Sequence, residues 1–125
     1  MGAVGASAVG DDLFVSDAGR IRPGLAHAVL LKPSQAGTVS ATLDTASADA
    51  GLRTVASHRS GETESTAVCD LAIVVGAGHV KIGGPRRGDR IIKYNRFLRL
   101  LESPLLVGLP RPPTHPKENR HVPCQ

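Results

Sequence analysis

Four short apolar runs recur along the chain: Ala8-Val9, Ala28-Val29-Leu30-Leu31, Thr54-Val55-Ala56 and His79-Val80. Val9, Val29, Val55 and Val80 lie 20, 26 and 25 residues apart. A hairpin needs only a few residues between strands. Intervals of this length hold a strand, a helix and two loops. The chain is therefore read as an α/β fold of four consecutive βα units with parallel strands. At 125 residues it has room for one domain. Phe14, Tyr94 and Phe97 are its only aromatics, so the core must come from aliphatic side chains.

The segments between the runs carry helix signals. Thr38 to Ala50 spaces Val39, Leu43 and Ala46 helically, and Gly51 follows as a stop. Thr63 to Val75 spaces Ala67, Leu71 and Val74 on one side. Glu62 and Glu64 stand at its start, where the helix dipole favours anions. Arg87 to Leu101 spaces Ile91, Ile92, Leu98 and Leu101 on an apolar side, with Arg90, Lys93, Arg96 and Arg99 elsewhere. Arg20 to Leu25 contains Pro23, so any helix there is small. Residues 103–125 hold six of the nine prolines and no apolar period. They are read as an irregular basic tail behind a folded unit of residues 1–102.

Composition excludes several classes. The longest nearly apolar run, Leu71 to Gly78, is too short for a membrane span. Residues 1–5 lack the positive charge that opens a secretory leader. Cys69 and Cys124 form no metal or redox spacing, which suits a reducing, cytoplasmic setting. Charge is uneven: residues 1–80 carry 5 Lys/Arg against 8 Asp/Glu, and residues 81–125 carry 10 against 3. A basic end raises the question of nucleic acid. Single-strand binders interleave stacking aromatics with their cations, and this segment has only Tyr94 and Phe97. A solvated helix face with a basic tail is the preferred reading.

Each apolar run is followed at once by polar groups: Asp11-Asp12, Lys32, Ser57-His58-Arg59-Ser60 and Lys81. Parallel α/β folds bind ligands at the carboxyl ends of their strands. If the four strands are neighbours, these groups converge, and the set suits an anionic substrate and a hard metal ion. Taken singly, each has a plainer explanation. Asp11 or Asp12 can cap a turn, and Lys32 can run its stem along apolar surface to water. His58 can be a core histidine, and Lys81 a loop cation.

The groups taken together resemble the enolase family. Val9-Gly10-Asp11-Asp12-Leu13-Phe14-Val15 is similar to an enolase strand carrying a magnesium ligand. Leu30-Leu31-Lys32, followed by Gln35 and Gly37-Thr38, resembles the strand bearing the family's base. Ser57-His58-Arg59-Ser60-Gly61-Glu62-Thr63-Glu64 matches the family's substrate loop letter for letter. Val80-Lys81-Ile82-Gly83, then Arg90, Lys93-Tyr94-Asn95 and Leu98 to Leu100, resembles its last strand and helix. The resemblance implies about four βα units of a TIM-type barrel, half of one, over residues 9–102. It implies a lyase that dehydrates 2-phosphoglycerate to phosphoenolpyruvate in glycolysis. By the same resemblance Lys32 is the base, Asp11 a ligand of Mg2+, and Arg59 and Ser60 the phosphate grip. Lys81 holds the carboxylate, and His58 lines the site.

Departures from the pattern set further expectations. The family's amino-terminal domain and early strands, which supply the general acid, other metal ligands and a lid, have no counterpart in residues 1–8. The stretch from Asp11 to Lys32 is a few residues short where a helix should be. Pro33-Ser34 stands where Val-Asn is common. The chain alone is thus expected to lack useful turnover. A half barrel also has two open strand edges, which call for a second copy or another partner.

Overall fold

The computed structural model describes residues 6–48 and 51–104. The tail assigned to residues 103–125 lies almost wholly outside the described residues. Four strands form one sheet in the order β1-β2-β3-β4: β1 (Val9–Gly10), β2 (Ala28–Leu31), β3 (Arg53–Ser57) and β4 (His79–Lys81). Every neighbouring pair is parallel. The strands fall on the four predicted runs, as the intervals between them require.

The register fixes the strand ends. Leu31 pairs with Ala56, and Ala56 with Val80. Lys32, Ser57 and Lys81 therefore leave the sheet at one level. All four residues of β2 are buried, as expected of a strand covered on both faces. One core group packs Phe14, Ile21, Val29 and Leu31 against Ala46 and Val75. The other packs Ala56, Val68, Cys69, Ala72 and Ile82 against Val80, Phe97 and Leu100.

Four helices, α1 (Pro33–Ala36), α2 (Val39–Ser47), α3 (Ala67–Val74) and α4 (Gly88–Leu101), accompany the strands. Between β1 and β2 there is only a 3-10 turn, Ala18–Arg20, placed just ahead of the segment containing Pro23. The shortened connection leaves a cleft of about 440 Å³ beside α2, lined in part by Asp17, Arg20, Gln35 and Asp44. Pro33 does no harm: it opens α1, where a helix has no use for its missing N–H. Gly37 ends α1 with φ at 87°, and the Thr38 hydroxyl then caps α2 by accepting from the Ala41 amide at 3.1 Å.

The inward faces of the helices differ from those predicted. In α2 the buried residues are Thr42 and Thr45, and Val39 is exposed. Both hydroxyls donate to the carbonyl one turn back, at 2.8 Å, which makes threonine acceptable inside. In α3 the buried set is Val68, Cys69, Leu71 and Ala72, and Val74 is exposed. In α4 the inner stripe is Arg90, Lys93, Phe97 and Leu100, while Ile91, Leu98 and Leu101 are exposed. Fully buried Lys93 is tolerated because its ammonium donates to the Thr63 and Asp89 carbonyls, at 2.8 and 2.9 Å. Arg90 lies 3.0 Å from the Asp89 carboxylate.

Gly10 is required by a close approach. A Cβ there would lie 2.3 Å from the ring of Phe14, which is itself fully buried. Gly10→Ala is expected to destabilise the fold by about 1–3 kcal/mol through overpacking. Urea unfolding followed by circular dichroism measures it, and an unchanged midpoint would show that the ring can move aside.

Candidate functional site

The site sits where the parallel strands end. β1 delivers Asp11, β2 delivers Lys32, β3 runs into His58, Arg59 and Ser60, and β4 ends at Lys81. Parallel register puts all of these at the same end of the sheet.

Asp11 and Lys32 meet directly, the ammonium donating to the carboxylate. The Lys32 side chain is only 13% exposed. Its backbone is fixed by a residue that sequence reading passed over. The Lys32 amide donates to the hydroxyl of buried Ser16 at 2.9 Å. That hydroxyl also lies 3.3 Å from the Leu30 carbonyl and 2.9 Å from the side-chain oxygen of Gln35. Val15 and Ser16 both take positive φ, 50° and 53°, which for a β-branched valine is strained. The strain turns the chain back so that Ser16 reaches the end of β2. Only a lone buried serine marked this in the sequence, and serines at turns are common.

The loop after β3 is anchored at its base. The His58 amide donates to the Lys81 carbonyl at 3.1 Å, and the Ser57 hydroxyl donates to the His58 carbonyl at 2.8 Å. Beyond that the loop is open. Arg59, Ser60 and Lys81 are exposed, and among the described residues their side chains make no hydrogen bond or ion pair. They form a cationic rim free to take an anion. Asp12 is exposed as well.

His58 is half-buried beside α4. Burial, reinforced by the nearby Arg90 guanidinium and opposed by Glu62, lowers its pKa below 6.5. Cys69, under α4, donates to the Lys93 carbonyl at 3.6 Å. Burial, with Asp70 adding to it, pushes its thiol up to about 11, so it is not an activated nucleophile.

Members of the enolase family work with magnesium, but the described residues do not fit that ion by themselves. Magnesium asks for several oxygens in octahedral geometry. Among the described residues no group of three or more His, Cys, Asp or Glu side chains is placed to hold a metal. Asp11, the ligand implied by the resemblance, is already paired with Lys32.

Because folding disfavours the charged imidazole, the unfolded chain binds the His58 proton more readily. This contribution to stability is present above pH 6.5 and is lost as pH falls through the lower folded value. Unfolding free energy should therefore decline below pH 6.5, and His58→Gln should flatten that decline. A proton NMR titration placing His58 at or above 6.5 would contradict the account.

A family model described as "Enolase, C-terminal TIM barrel domain" matches residues 3–105. The enolase of Mycobacteroides abscessus is 48% identical over 101 residues, covering 76% of this chain. The chain spans about a quarter of that relative's length, 24%. The half-barrel architecture, the four motifs and this match agree: the chain belongs to the enolase family, in the part that forms its C-terminal TIM barrel domain.

Proposed function

We propose that the chain carries the base and anion-binding part of an enolase site, taking 2-phosphoglycerate or phosphoenolpyruvate in the cytoplasm. The observation that supports this best is the common level at which Lys32 and Lys81 leave the sheet, next to the loop that begins His58-Arg59-Ser60. In this reading Arg59 and Ser60 hold the phosphate, the arginine by two parallel hydrogen bonds. Lys81 holds the carboxylate. His58 closes one wall, and its lowered pKa keeps it neutral at pH 7. Lys32 takes the proton beside the carboxylate, and enolases complete the reaction with a general acid and magnesium.

Lys32 as it stands is not ready for that step. A base must offer a free amine, and this one is donating to Asp11. The pairing favours a second reading, an anion-binding module without chemistry. The two readings share Arg59, Ser60 and Lys81 but differ in what the metal does. A nucleic-acid role loses support, because Arg90 and Lys93 are buried in α4. No helix among the described residues is long and apolar enough to cross a membrane. The open edges of the sheet are proposed to take a second copy or another chain.

Calorimetry with phosphoenolpyruvate tests the proposal. Arg59→Ala is expected to weaken binding at least tenfold, since a charge-assisted hydrogen bond contributes about 1.5–3 kcal/mol. Equal affinity in the variant would remove Arg59 from the site. Affinity that rises with added magnesium supports the enolase-like reading, and metal-independent affinity supports the plain anion module. Turnover of 2-phosphoglycerate by the isolated chain should fall at least a hundredfold below an ordinary enolase, because general acid help alone contributes about a hundred- to ten-thousandfold. Turnover at the ordinary level, followed by absorbance, would refute this.

A further inference from the structure

α4 has three distinct faces. Arg90, Lys93, Phe97 and Leu100 turn inward. Asn95, Arg99 and Glu102 are polar and exposed on the side away from them. Between these lie two flanks. Arg96 is on one and pairs with Asp70 of α3, so that flank faces the neighbouring unit. Ile91, Tyr94, Leu98 and Leu101 lie on the other, roughly a quarter-turn from the inner stripe at 100° per residue. These residues are 41, 38, 59 and 77% exposed.

An apolar flank turned away from α3 is placed where the next βα unit of a barrel would pack. The strand beneath it agrees, because β4 is an edge with nothing paired beyond it. At the other end of the sheet β1 is also an edge, and Val9, Leu13 and Leu25 near it are 47, 50 and 54% exposed. The chain provides four parallel strands, and a TIM barrel closes with eight. Charge agrees with polarity. The β4 side exposes Lys81, Arg86, Arg87 and Arg99, and the β1 side exposes Asp12 and Asp17.

We propose that two copies of this chain pair head to tail about a two-fold axis along the sheet's strands. The β4 edge and α4 flank of each dock on the β1 edge of the other, closing a barrel of eight parallel strands. Two heterologous contacts related by one two-fold close upon themselves, so the assembly stops at the dimer. The proposal rests on the family's barrel architecture and not on catalysis by Lys32. A monomer that bound phosphoenolpyruvate would overturn it and leave the anion site standing.

The test uses the 125-residue chain. Light scattering coupled to size exclusion should give twice the monomer mass across a concentration series. A V9C chain and an H79C chain, each also carrying C124S, are then mixed with a short bismaleimide. The buried Cys69 thiol, with its raised pKa, does not compete. A 9-to-79 link should form between the two chains, with neither 9-to-9 nor 79-to-79 links. The double substitution L98E/L101E should raise the dimer dissociation constant at least tenfold, with its far-ultraviolet circular dichroism retained. A monomer that unfolds cooperatively would overturn the proposal. So would an open-ended series of oligomers, links between like edges, or a wild-type chain unfolded at every concentration.

Discussion

Parallel pairing is the constraint on which everything else rests. A strand that must run beside its predecessor in the same direction forces the chain to cross back over the sheet. Three such crossings set the helices on the outside and collect the strand exits at one end. The register then decides which residues share a level. One residue of slip at β2 would turn Lys32 to the opposite face and separate it from Asp11. The fully buried sequence of β2, Ala28 to Leu31, resists such a slip poorly through alternation alone, because both of its faces are apolar. The end of the strand supplies what alternation lacks, in the ties from Ser16 to Lys32 and Leu30.

The architecture was legible because it depends on spacing, which the chain shows directly. Val9, Val29, Val55 and Val80 all lie in strands of the expected order. The helix interiors were less legible. Periodicity assigns the apolar residues of a segment to the core, and in α4 that rule selects Ile91, Leu98 and Leu101, which are exposed. The inner stripe instead carries two cations, because carbonyls at Thr63 and Asp89 are there to receive an ammonium. No local pattern announces a carbonyl supplied from thirty residues away. The same holds for Thr42 and Thr45, whose hydroxyls are satisfied within their own helix and whose remaining surface behaves as apolar.

At the candidate site the residue types were readable and their pairing was not. Asp11 and Lys32 stand twenty-one positions apart, and their contact follows from the adjacency of β1 and β2. Ser16 was missed for a related reason. It acts through backbone at φ 53°, a conformation that serine does not advertise.

Ser16 has a consequence for the composition of α1. A hydroxyl owns one hydrogen and two lone pairs. The Lys32 amide occupies one lone pair, which leaves the hydrogen and one lone pair for Leu30 and Gln35. Both cannot be acceptors at once. The inventory closes only when Gln35 donates from its amide nitrogen and the Leu30 carbonyl takes the hydroxyl hydrogen. A glutamate at 35 would set two acceptors against a single hydrogen in a closed space. The chemical identity of one helix side chain is thus dictated by how many hydrogens a neighbouring turn has to share.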